Sequence, residues 1–164
     1  MCMGAKSTTG NLYKTMGYAD CDVQPNIEVN ILLDAVNQND IKRIISDNAQ
    51  KLLGKTHIAY HPIYIELWER KAFETYFDIK DGVFNPILKE TRPRRGFHFT
   101  EDVMHKIAMI FEVNWEKTLR HELTHVIQAE VLGFELYNKL AHENYHNKRE
   151  LDPFELQAYF NEEI

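Results

Sequence analysis

The sequence predicts an α+β fold in which a small mixed or antiparallel sheet packs on helices. Three observations carry the prediction. Two apolar stretches with helical spacing occupy residues 27–53. A β-rich region follows, with Asp81-Gly82 as its strongest short hairpin signal. An amphipathic stretch at 115–131 and a capped stretch from Asp152 complete the pattern. With 164 residues, 44% hydrophobic and 12% aromatic, the chain suits one domain with a packed core.

Residues 1–25 show no sustained periodicity and read as an irregular arm, leaving 26–164 as one folded unit. Ile27, Val29, Ile31, Leu32, Ala35 and Val36 have helical spacing. Asn37–Asp40 interrupts them, and Asp40 can cap a second helix over 41–53 that stops at Gly54. Its inward side is Ile41, Ile44, Ile45 and Leu52/Leu53. Thr56–Trp68 reads as a strand, with Pro62 favouring an edge or a bulge. Phe73–Lys80 and Val83–Leu88 read as strands flanking Asp81-Gly82. Thr91–Gly96 is a basic loop, most simply a solvated turn, with contact to a substrate as the alternative. Phe97–Thr100 and Met104–Val113 are two further strands. Asn114 stands at an N-cap position, and Leu119, Leu123, Val126, Ile127 and Val131 then recur at three- and four-residue spacings until Gly133. Residues 141–150 are polar and mixed. Asp152-Pro153 opens a last helix, aspartate as cap and proline in the first turn.

The charge balance, 19 Lys+Arg against 25 Asp+Glu, gives a net charge of −6 and argues against a general nucleic-acid binder. No secretory signal is expected at the start, and the longest uninterrupted apolar run, Ile107–Phe111, is far too short to span a bilayer. A cytoplasmic protein without a membrane partner is therefore expected. Cys2 and Cys21 read as free thiols, and two cysteines exclude a Cys-rich zinc site. Any metal must be held by histidine and carboxylate, and the chain has eight histidines.

His121-Glu122-Leu123-Thr124-His125 is H-E-x-x-H within the 115–131 helix. Residues i and i+4 of a helix lie one above the other, so both imidazoles can bind one Zn²⁺ at about 2.0–2.1 Å. Glu122 is rotated about 100° away, and is suited to activating a water beside the metal rather than to binding it. A catalytic zinc needs a third protein ligand and one open position. The residues after His125 exclude the metzincin pattern. A carboxylate from the last helix is the other solution. Glu155 is the first choice, with Glu150 and Asp152 as alternatives. Against Glu155 stands the spacing Asp152-x-x-Glu155, which resembles a capping box and would use the side chain locally.

His142-Glu143-Asn144-Tyr145-His146 is a second literal H-E-x-x-H without a sustained apolar stripe. It reads as an incidental repeat. The alternative is that it places His142, Tyr145 or His146 over the site as a donor to a developing oxyanion, for which Tyr137 and Tyr159 are further candidates. His57 and His61, four apart on a strand, stand about 13 Å apart, too far for one metal. They and His98 and His105 read as solvated or hydrogen-bonded residues.

His121-Glu-Leu-Thr-His125-Val-Ile-Gln128, followed by Pro153-Phe-Glu155-Leu-Gln-Ala158, resembles the gluzincin branch of zinc metallopeptidases, especially small bacterial and phage-type zincin domains. The resemblance covers residues 115–160. It implies a zincin-like fold, Zn²⁺ held by His121, His125 and Glu155, and Glu122 as general base. The function expected from it is hydrolysis of a peptide or protein substrate, and Tyr145 and His146 of the second motif remain the candidates for a place near the reacting carbonyl. It also implies an edge strand that pairs with an extended peptide, for which Met104–Val113 is the candidate. Two rival readings are a catalytically inactive zincin-like module within a larger assembly and a structural metal site with four protein ligands.

Overall fold

Residues 25–146 and 152–163 are described in a computed structural model of the protein. Nearly all of the expected N-terminal arm, with Cys2 and Cys21, lies outside the described residues, as does Glu150.

Ile27–Ile31 forms strand β1, where helical spacing had suggested a helix. Ile27, Val29 and Ile31 also recur every second residue, and β-branched side chains suit a pleated surface. The apolar residues that prolonged the helical pattern lie in the following loop, where Val36 is 97% exposed. Helix α1 spans Gln38–Gly54 and buries Ile45, Ala49 and Leu53, one residue per turn. It starts before the expected Asp40, and no side chain caps it at Asn37. Ile44, expected inward, is exposed.

Strand β2 is only the last part of the expected stretch, Ile63–Trp68. Pro62 stands just before it, where a missing N–H interrupts no ladder, and its carbonyl accepts from the His105 N–H at 2.8 Å. It therefore marks the start of an internal strand, not an edge or a bulge. Helix α2, Arg70–Tyr76, replaces the strand expected at Phe73–Lys80. Phe73, Tyr76 and Phe77 sit at i, i+3 and i+4, and the Glu69 carboxylate caps the helix by accepting from the N–H groups of Lys71 and Ala72.

Strands β3, Val83–Asn85, and β4, Glu90–Arg92, form an antiparallel hairpin. Its turn is Pro86–Lys89, not Asp81-Gly82. The Asn85 side chain accepts from the N–H groups of Ile87 and Leu88, and Lys89 takes φ 58°. Gly82 instead packs against β4, where a Cβ would overlap the Arg92 carbonyl. Strands β5, Gly96–Glu101, and β6, Met104–Ile110, form a second hairpin close to expectation.

The main sheet has the order β1-β2-β6-β5. The first three strands are mutually parallel and β5 is antiparallel to β6. The expected edge, β6, is thus internal, and β5 is the edge beside the motif helix.

That helix, α3, spans Trp115–Leu132. Asn114 precedes it at φ 70° without a side-chain capping bond, and Gly133 at φ 85° ends it. Helix α4, Phe134–His146, follows at once and occupies part of the stretch read as polar and mixed. Tyr137 is its one buried residue, which explains its weak apolar signal. Helix α5, Pro153–Asn161, starts at Asp152 as expected, with the Asp152 carboxylate accepting from the Phe154 N–H at 2.9 Å.

Alternation divides each internal strand between two faces. Ile63, Ile65 and Leu67 of β2 and Ile107 and Met109 of β6 pack against α1 and α3. Ala108 and Ile110 pack with Phe73 of α2 on the other side. Leu119, Leu123 and Val126 anchor α3 to the sheet, each contributing about 1.5–3 kcal/mol on burial. The result is a mixed α+β architecture in three layers. No described helix is long and apolar enough to cross a membrane.

Candidate metal centre

Because Leu119, Leu123 and Val126 face the sheet, His121 and His125 are turned from it towards α5, with ring centroids 5.1 Å apart. Helix α5 is latched to α3 by polar contacts. The Arg120 guanidinium donates to the carbonyls of Asn161 and Glu162 at 3.2 and 2.6 Å. The Asn161 amide donates to Thr124 Oγ1 at 2.9 Å. This docking presents Glu155 to both histidines. Its carboxylate oxygens lie 3.0 Å from His121 Nε2 and 3.0 Å from His125 Nε2.

The other nitrogen of each ring has its own acceptor. Glu162 Oε2 is 2.7 Å from His121 Nδ1, and Gln128 Oε1 is 2.9 Å from His125 Nδ1. Gln128 is oriented in turn, because its amide donates to the Phe154 carbonyl at 3.1 Å and to Gln157 Oε1 at 2.8 Å. Each Nδ1 therefore carries a proton, and each Nε2 is directed to the point that Glu155 also faces. One ligand atom from each of the three residues lies within 4.8 Å of the others. Two imidazole nitrogens, one carboxylate oxygen and fixed outer partners make a group that could hold a metal ion.

The electrostatics follow from burial and pairing. Burial disfavours a charged His121, but its hydrogen bonds to Glu155 and Glu162 outweigh this and lift its pKa to about 10. His125 is raised as well: burial opposes the shift, and the Glu155 charge and hydrogen bond overcome it. Glu155 is held well below the usual carboxylate range, since the two histidines outweigh its burial. A metal entering at neutral pH therefore displaces protons from the imidazoles.

Glu122 is buried beside these ligands without belonging to the set. Burial raises its pKa, against the opposing pull of His121 and His125. Gly96, the first residue of β5, lies against it: a Cβ there would stand 2.9 Å from Glu122 Oε2 and 3.1 Å from Thr118 Cγ2. The site opens into a cleft of about 900 Å³ between the β3–β4 hairpin, β5 and the C-terminal helices.

Tyr137 and Tyr159 line this cleft and are nearly buried. Burial, followed by the Glu155 charge, raises both hydroxyls, so each stays a neutral donor. Tyr145 stands at the rim, 72% exposed. His146 is exposed and absent from the cleft lining, its ring against those of His142 and Tyr145. The second H-E-x-x-H thus brings Tyr145 to the rim but leaves its histidines on the exposed side of α4. Asp152 is used as the α5 cap and accepts from Asn144, while Glu155 points away to the histidines. The cap forms without the reciprocal half of a capping box. The basic loop is not merely solvated: Arg92, Arg94 and Arg95 line the cleft, and the Arg94 charge acts on Glu122.

Sequence reading missed Gln128 and Glu162 as partners of the ligands. Their spacing carried a signal, since Gln128 is three residues past His125 and Glu162 is seven past Glu155, each on the same helical face as its predecessor.

The chain matches no family model, no curated protein and no solved structure.

Proposed function

We propose that the protein is a zincin-like, zinc-dependent metallopeptidase. The convergence of His121 Nε2 and His125 Nε2 on Glu155, with each Nδ1 held from behind and Glu122 buried alongside, carries this reading. Zn²⁺ bound there supplies Lewis-acid chemistry, activating a water and polarising a carbonyl. Glu122 takes the proton of the attacking water and passes it to the leaving amine. Its raised pKa suits a group that must both accept and return a proton. Tyr137 and Tyr159 are buried hydroxyls of the cleft, kept protonated by burial, that can donate to the oxyanion. Among the described residues the outer edge of β5 is unpaired, and its first residue touches Glu122. An extended peptide added to that edge passes the carboxylate, so peptides and proteins are the substrates proposed.

The ligand set supports this reading over its rivals. A structural site uses four protein ligands, whereas Glu162 bonds the far nitrogen of His121 and leaves a three-residue set. An inactive module has no use for the desolvated carboxylate of Glu122, which costs stability. Metal analysis combined with a peptide-library cleavage assay tests the proposal. Cleavage is expected to stop on chelation and return with added Zn²⁺. Stoichiometric zinc without cleavage of any peptide overturns it in favour of the binding module.

Gly96→Ala tests the placement of the base. The added methyl would stand about half an ångström inside ordinary contact with Glu122 Oε2, and at roughly a hundredfold per ångström of misplacement the shift costs about tenfold in turnover. The expected result is kcat lowered by roughly that factor with zinc content unchanged.

A further inference from the structure

Outside the centre described above stand His61, His98, His105 and Glu130. The fold joins them. Ile63 pairs with His105 across β2 and β6, so His61, two residues before Ile63, lies close to the start of β6. His105 shares the helix-facing side of β6 with Ile107 and Met109 and is fully buried. Glu130 descends onto the same point from the last turn of α3. Its Oε2 is 2.8 Å from His105 Nε2, and both of its oxygens are 3.0 Å from His61 Nδ1.

We infer that His61, His105 and Glu130 form a second site for a zinc-class divalent ion. One ligand atom from each lies within 4.8 Å of the other two, the same compactness as in the His121, His125 and Glu155 set. The contacts repeat the pattern of that set, with one carboxylate facing a nitrogen of each of two histidines. His105 Nδ1 is 3.0 Å from His98 Nε2, so His98 serves behind His105 as Gln128 serves behind His125. With the His105 Nδ1 proton donated to His98, the lone pair of Nε2 is free for a metal. The Phe134 ring packs 4.7 Å from the His61 ring and 4.8 Å from that of His105, fixing both. The His61 N–H, donating to Glu130 Oε2 at 2.7 Å, fixes the carboxylate. His61 is half exposed whereas His105 is buried and Glu130 partly so, so a fourth position opens to water on the His61 side.

The ion fastens the end of α3 to the start of the two internal strands. This inference does not depend on peptidase activity.

Equilibrium dialysis against micromolar ZnCl₂, with metal analysis, tests it on the full chain. Wild type is expected to hold two zinc ions per chain, His61→Ala one, His125→Ala one and the double variant none. His61 is exposed enough for its alanine variant to fold, and that variant compared with wild type decides the question if His125→Ala does not fold. One ion per chain, lost with His125→Ala but not with His61→Ala, overturns the second site and leaves the first intact. One ion lost with His61→Ala alone supports the second site and removes the first. Two ions in His61→Ala overturn the assignment, because the extra zinc then sits elsewhere, as on the exposed His142–His146 pair.

Discussion

Glu122→Gln is expected to keep its zinc and to lose peptide hydrolysis by about 10²–10⁴-fold, the usual contribution of a general base. The amide has the shape of the carboxylate but cannot take a proton. Since Glu122 does not belong to the ligand set, metal content should equal that of wild type. Its burial disfavours the charged form, so the neutral variant should fold at least as stably. Cleavage of a wild-type substrate, measured beside zinc content and thermal unfolding, checks all three outcomes. Full activity in the variant would falsify the assigned mechanism.

Glu155→Ala acts on the metal instead. It removes one ligand and also the carboxylate that pairs with both imidazoles. Sharing the roughly 10–16 kcal/mol of a four-coordinate zinc site among its ligands gives about 2.5–4 kcal/mol each. The expected loss of affinity is thus at least about a hundredfold. The fold should persist, because Arg120, Thr124 and Gln128 hold α5 through contacts that do not involve Glu155. Competition with a fluorescent zinc chelator measures the affinity, and near-ultraviolet circular dichroism reports the fold. Unchanged affinity would remove Glu155 from the ligand set and make Glu150 the next residue to substitute.

What could be read from the chain depended on whether the determining contacts were local. The i, i+4 histidines, the Asp152-Pro153 start and the β5–β6 hairpin are short-range features, and all were legible. Strand β1 was not, because Ile27, Val29 and Ile31 satisfy a two-residue period while Leu32, Ala35 and Val36 extend a helical one. Helix α2 was lost for a related reason: its aromatic residues suit either structure, and the Glu69 cap decides. At Asp81-Gly82 the glycine served close packing on β4 rather than a two-residue turn. The His61, His105 and Glu130 group was least accessible. The sequence sets His61 beside His57 on one expected strand, whereas its partners arrive through β2–β6 register and from α3.

The latch between α3 and α5 bears on how the centre is loaded. Arg120 and Thr124 hold the C-terminal helix by its own end, and Gln128 and Glu162 hold the two rings, so the donors are positioned by contacts outside the ligand set. On the proposed reading, capture needs no search for a distant ligand, and what an entering ion must displace is its own water and the protons of the histidines. Zinc affinity is then expected to fall as the pH is lowered, which dialysis at a series of pH values measures.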